Sequence, residues 1–398
     1  MIRASLGLRP AVTAIAGRGA PWLAGRPVAS ALGLALLLAL GPATTSARSF
    51  AEPVWRVSTQ KLPGLAWKPR RSGAPVLDRR GGQVLVGAAD GLWALDALTG
   101  DKLWRVPTAD PIAGTPLLDA AGSTITFADG GGVVQTLGLG DGKPRWARSS
   151  LLDAVVRAPL VGDGARLYAL VEPGSLFALD ALTGKALWRR AVPGGRDFLA
   201  EGTGAATVHG ESVIAGLGDG NLVVVNGRDG GVVWTRDLAG GGDGPPDVDT
   251  TPLVVQSGAG EAFVLAASQR GGLYALSLGD GEVRWHRKGE GYQTPLRRGD
   301  ELWVVDGDHR LLALRASDGK LRVGRHLDGE PSGALALWRT FVLVMAGDGL
   351  WLLSGDDQQT RGRVVDPYGY AAAPCLDGDD AWMIGNDGTI WALRLREP

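Results

Sequence analysis

The stretch Gly91–Trp104 reads GLWALDALTGDKLW, and Ser175–Trp188 repeats it as SLFALDALTGKALW. Each copy holds an alternating apolar run, a polar turn ending in glycine, and a tryptophan four residues past that glycine. Two copies could be a duplicated active site or the best-preserved part of a structural repeat. The rest of the chain decides between them. The same unit returns as NLVVVNGRDGGVVW from Asn221 and as GLYALSLGDGEVRW from Gly272. VVQTLGLGDGKPRW from Val133 keeps the glycine and tryptophan, while RLLALRASDGKLRV from Arg310 ends in Val323 instead. GLWLLSGDDQQTRG from Gly349 and TIWALRLREP from Thr389 keep only the first half.

A second marker precedes each unit. Prolines stand at 75, 116, 159, 252, 295 and 374, and Ala206 and Ala334 take the same slot in the other two repeats. Eight markers give a period of about 43 residues, the spacing of four short strands per blade of a β-propeller. The third repeat places its strands at APLV, ARLYALV, SLFALD and ALWRRAV, separated by glycine-bearing turns. Asp-Gly in the equivalent turns of other repeats accepts positive φ and closes tight hairpins. The last repeat, 372–398, stops after its third strand. VWRVST at Val54–Thr59 matches LWRVPT at Leu103–Thr108, so residues 53–59 are expected to supply the missing strand. The fold class expected is all-β: an eight-bladed propeller of four-stranded antiparallel blades, closed by an N-terminal strand.

The repeated residues are then expected to join blades. Trp55, Trp104, Trp146, Trp188, Trp234 and Trp285 share one position, and Gly100 and Gly184 let the neighbouring turn come close. A fully buried indole would contribute up to about 4–6 kcal/mol from the area it removes from water. Its N–H needs an acceptor, which a turn carbonyl of the next blade could supply.

Bulk properties fit an exported domain. The chain is 45% apolar, 21% charged and holds 62 glycines in 398 residues, about twice ordinary usage. Four arginines and no acid precede the apolar run Val28–Leu40, and small residues follow at Thr45 and Ala47. That is the pattern of a secretory signal over residues 1–47, with the propeller occupying 48–398. An uncleaved anchor is the alternative. Without the leader, 37 basic residues face 42 acidic ones, which is no nucleic-acid footprint. Cys375 is the single cysteine, so there is no intrachain disulfide, no vicinal pair, and no lipobox cysteine near the leader. The four histidines show no zinc spacing, and the Gly-Lys pairs at 142, 184 and 319 lack the Ser or Thr of a phosphate loop. No catalytic residue, metal ligand or cofactor is expected.

One connection breaks the repeat: TRDLAGGGDGPPDVDTTP between Trp234 and the marker Pro252. Long loops on one face of a disc are where binding sites form. Asp247 and Asp249 could equally cap a turn.

The Ala-x-Asp-x-x-Thr-Gly-x-x-x-Trp pattern resembles the tryptophan-docking repeat of quinoprotein-type propellers, from about residue 52 to the end. DVDTTP before a propeller strand, and the ending DGTIWALR, look like the BamB family of the outer-membrane β-barrel assembly machinery. The resemblance implies a periplasmic scaffold that binds the POTRA domains of BamA through Asp247 and Asp249, or other outer-membrane assembly proteins; a monomeric propeller is expected. A companion loop of that family aligns with DFLA at 197–200, which would add apolar contact from Phe198 and Leu199. Ala200 stands where that family has arginine. A quinone-dependent alcohol dehydrogenase and an exported ligand-sensing propeller remain the alternatives.

Overall fold

The computed structural model describes residues 49–59, 73–172, 174–191, 204–241, 245–256 and 261–398. Every regular element among them is a β-strand, and the strands form eight four-stranded antiparallel sheets. Blades 1 to 7 occupy residues 76–106, 117–151, 161–191, 207–237, 253–287, 296–326 and 331–365, each with its strands in chain order. Blade 8 takes three strands from 375–395 and its fourth from Ala51–Ser58, which pairs with Thr389–Leu395 in the register Ala51↔Leu395 to Ser58↔Thr389. The two ends of the propeller thus meet as antiparallel neighbours, with a bulge between Pro53 and Trp55.

The middle strands of each blade are apolar on both faces, because each blade is packed between two others. Gln83–Ala88 in blade 1 and Phe341–Ala346 in blade 7 are almost wholly buried. Fourth strands alternate half-buried and exposed residues, as rim strands should. The first strand of blade 3 is shorter than the sequence suggests: it is Val161–Gly162, not the whole of APLV. Elsewhere strands begin at Val76, Leu117, Leu253, Leu296 and Cys375, each immediately after its marker proline. Proline has no N–H to enter the ladder, so pairing starts past it.

Six joints between blades follow one rule. An indole N–H from the fourth strand, or in blade 2 from the bend before it, donates to a turn carbonyl of the next blade. Trp55 bonds Ala97 O at 3.1 Å, Trp104 bonds Leu139 O at 2.9 Å, and Trp146 bonds Ala181 O at 3.1 Å. Trp188 bonds Gly227 O at 3.0 Å, Trp234 bonds Leu278 O at 2.9 Å, and Trp285 bonds Ala316 O at 3.1 Å. The indole face lies on the glycine of the same turn. A Cβ on Gly184 would sit 2.4 Å from Trp146, and one on Gly100 would sit 2.7 Å from Trp55. Both glycines also have positive φ, +71° and +76°. Trp146 and Trp234 are buried, but the other four are half-buried at the rim. Their area term therefore falls below the full-burial limit, and the directed hydrogen bond adds about 1 kcal/mol per joint.

The carbonyl is often shared. Trp382 also donates to Ala97 O, Gln83 to Leu139 O, and Tyr168 to Gly227 O. Between blades 6 and 7 both partners change together. Val323 replaces the tryptophan and Gln358 replaces the glycine, at φ 57° and fully buried. Arg298 Nη1 takes over the carbonyl, bonding Gly355 O at 2.7 Å.

Gly184→Ala should lower the thermal midpoint well beyond Gly210→Ala, since Gly210 also has positive φ but open space around it. Equal effects in a melting experiment would show that backbone strain, not the indole contact, is what the glycine relieves.

The turns carry a pH signature. Backbone N–H groups of Thr99 and Leu98 hold the Asp96 carboxyl below its ordinary value, and the Thr183 hydroxyl and N–H do so for Asp180. A lowered folded-state value means the stabilisation is complete above the ordinary carboxylate pKa of about 4 and disappears as pH falls through the lowered one. The midpoint should drop as pH falls below about 5 and on through those lowered values, and Asp96→Asn with Asp180→Asn should flatten that dependence.

Candidate functional site

In an up-and-down blade, the turns between third and fourth strands share one face of the disc with those between first and second strands. The connections from one blade to the next lie on the other face, with the hairpins between second and third strands. The segment 245–252 joins blade 4 to blade 5, so it lies on this second face. Leu98 and Leu182, in third-to-fourth-strand turns, lie on the first.

Part of DVDTTP obeys the repeat. Thr251 N–H donates to the hydroxyl of Thr294, and the Thr251 hydroxyl accepts from Ala205 N–H at 3.0 Å. Ala74 N–H meets Thr115 in the same way in the first two blades. A threonine before the marker proline thus strings neighbouring blades together.

The residues before it repeat the backbone fastening of other connections, where Ile112 N–H donates to Ala88 O and Gly130 N–H to Pro111 O, and add side-chain bonds of their own. Val248 N–H donates to Leu217 O at 3.0 Å, and Gln269 N–H donates to Asp247 O at 2.8 Å. Ser268 Oγ donates to Pro246 O at 2.7 Å. Ala267 N–H donates to the Thr250 hydroxyl, which donates in turn to Ala267 O. Gly216 lets the loop approach, because a Cβ there would lie 2.3 Å from Val248 O. The connection is therefore fastened on one side to blade 4 and on the other to the hairpin of blade 5.

The two aspartates part company. Asp247 is 3% exposed and belongs to the interior of the loop. Asp249 is half-buried, and its Oδ2 accepts from Gln269 Nε2 at 2.7 Å. The expectation that both offer carboxylates to a partner thus meets a geometry that presents Asp249 at the surface and encloses Asp247. Phe198 and Leu199 lie outside the described residues.

Asp249 lines one of two clefts near the loop. One, with about 40 Å³ of space, lies between blades 3 and 4 and is lined by Leu170, Leu217, Val248 and Asp249, with the Arg157–Glu172 ion pair (2.9 Å) beside it. The other, about 500 Å³, lies between blades 5 and 6 and is polar, with Gln269, Arg270, Glu290, Asp308 and Arg310 in its walls. Arg310 pairs with Asp306 at 2.8 Å and Asp308 at 2.9 Å, and Arg270 Nε donates to Ala239 O. Gln269 stands between the second cleft and Asp249. The sequence reading passed over it, although SQRG at 268–271 is the hairpin of its kind that carries Gln-Arg where most others carry acidic turn residues. Among the described residues no group of three or more His, Cys, Asp or Glu could hold a metal ion.

The burial difference gives a stability test. Asp247→Arg should lower the thermal midpoint strongly, because a buried site cannot take the larger charge. Asp249→Arg should lower it far less, because Asp249 is half-buried at the surface and Asp247 is enclosed. Circular dichroism melts of the two variants measure the contrast.

Comparison with known proteins agrees with the architecture. The family model described as outer membrane protein assembly factor BamB matches residues 51–197 and 90–323, more than half of the chain. The outer membrane protein assembly factor BamB of Yersinia pestis is 24% identical over 320 residues, covering 75% of this chain and 79% of that protein. The BamB of Burkholderia pseudomallei is 25% identical over 359 residues, covering 87% and 88%. The crystal structure of BamB from Moraxella catarrhalis superposes with a TM-score of 0.72 at 19% identity, covering 87% of this chain and 100% of that one, a likeness of fold. With its joint-forming tryptophans and its ring closed by the N-terminal strand, the chain belongs to the BamB family of outer membrane protein assembly factors.

Proposed function

We propose that the chain is a non-catalytic, protein-binding scaffold of outer-membrane β-barrel assembly, working as a monomer on the periplasmic side after export by the segment 1–47. Family membership supports the role, and its relatives carry the name of assembly factors. The observation that carries the site is Asp249 in the loop at 245–252, whose carboxylate is set at the surface by Gln269. A propeller fold alone would not choose a function, since many functions use it. A preformed, fastened loop has little conformational freedom to lose on association, which favours a binding role.

In this reading Asp249 meets a basic side chain or backbone N–H of a BamA-like POTRA domain, and Phe198 and Leu199 add apolar contact. Asp247 holds the loop in shape. The scaffold uses no cofactor and no catalytic residue.

Asp249→Arg in the full chain should abolish co-purification with a BamA-like protein while the melting curve stays near wild type. Gln269→Ala should weaken capture more mildly by releasing the carboxylate from its set orientation. Undiminished capture by folded Asp249→Arg would remove Asp249 from the interface.

A further inference from the structure

The joint between blades 7 and 8 cannot follow the rule of the six tryptophan joints. The receiving glycine elsewhere sits in the turn between third and fourth strands. In blade 8 the third strand ends at Leu395 and the fourth enters at Ala51 from the other end of the chain, so no such turn exists. Blade 7 departs from the pattern in the matching place. Its fourth strand, Thr360–Val365, places Gly362 opposite Leu352, as Trp104 stands opposite Ala94, with the register shift one residue further on in both. Gly362 thus occupies the tryptophan position of blade 7.

What fills that position is Phe50. A Cβ on Gly362 would lie 2.4 Å from Phe50 Cδ1 and 3.1 Å from Cε1. Phe50 is 2% exposed and packs in a cluster with Leu350, Leu352, Leu393 and Leu395 from blades 7 and 8. Its carbonyl accepts from Arg396 N–H at 2.7 Å, and the next residues continue the closure through Ala51↔Leu395 and the Glu52–Arg396 ion pair at 2.7 Å. The joint is therefore keyed in reverse. At six joints the aromatic ring belongs to the earlier blade and the glycine to the later one. Here the glycine belongs to the earlier blade, and the ring arrives with the closing strand.

We infer that Phe50 is the docking residue of the eighth joint, and that the site of leader removal is bounded by it: the bond hydrolysed lies N-terminal to Phe50. A leader peptidase adds water across one amide, leaving a carboxylate on the leader and a new ammonium on the mature chain. Hydrolysis before Phe50 leaves the key in its slot. Hydrolysis beyond it removes the ring that fills Gly362's place and opens the seam where the two ends of the propeller meet. The inference uses the export reading for the leader but not the partner reading, and its test is blind to any partner.

The test uses the full chain, exported from cells and recovered as the mature protein. Its intact mass should correspond to a start at or before Phe50. Thermal melts of Phe50→Ala, Gly362→Ala and the double variant then probe the key itself. Phe50→Ala should lower the midpoint by several degrees. Gly362→Ala should be destabilising beside Phe50, because its methyl group collides with the ring. In the Phe50→Ala background the same substitution should become stabilising, since alanine suits a strand better than glycine once the space is open. Phe50→Leu gives a milder cavity if the alanine variant is not recovered, and Gly362→Ala should reverse sign there too or lose most of its cost. A mature chain starting beyond Phe50, an unchanged midpoint for Phe50→Ala, or the same effect of Gly362→Ala in every background would overturn the inference.

Discussion

The structure depends on one hydrogen bond made at successive joints, from an indole N–H on the rim of one blade to a turn carbonyl of the next. The residue that offers this carbonyl is fixed at both ends of its peptide. Ala97 N–H donates to Gly82 O within its own blade, while Ala97 O accepts from Trp55 of the blade before. Ala181, Gly227, Leu278 and Ala316 are held in the same way. The contact therefore couples a hairpin to its neighbour and sets the angle between blades as well as adding energy. Each bond is individually modest, about 1 kcal/mol. Its repetition around a closed ring is what makes the geometry common to all the joints that use it.

Where the bond is missing, the molecule shows what it was for. Between blades 6 and 7 the tryptophan and the glycine have both gone, and Arg298 supplies the donor to Gly355 O while buried Gln358 stands in the glycine's place. Arg325 adds a bond to Gln358 O, as Arg190 and Arg236 do to Gly230 O and Gly281 O at joints that kept their tryptophan. Filling the slot and satisfying the carbonyl can be divided between residues. The seam at blades 7 and 8 solves the filling with Phe50.

The ring was legible in the sequence because its determinants repeat. GLWALDALTGDKLW and its degraded copies give the blade, the markers give the count, and VWRVST gives the closing strand. What does not repeat was not legible. Phe50 precedes the first blade and has no periodic counterpart, and Gln358 gains meaning only beside Val323 of the neighbouring blade. The loop at 245–252 was legible as an exception, but its interior was not. Asp247 and Asp249 look equivalent in DVDT. They are separated by Gln269, twenty residues on, whose N–H fastens Asp247 O and whose side chain reaches Asp249. That contact comes from the hairpin of the next blade, which local pattern does not encode.

The disc thus has two unlike faces. One carries the docking turns, with Leu98 and Leu182 at their tips, and the other carries the clamped loop with its two clefts. If the chain is an assembly scaffold, the second face is the one that meets the partner. A photo-crosslinking side chain placed at Asp249, with another at Leu182 on the opposite face, tests this in cells. The account predicts that the probe at 249 is captured by the POTRA region of a BamA-like protein and that the probe at 182 is not. Capture of that partner from 182 alone would contradict it.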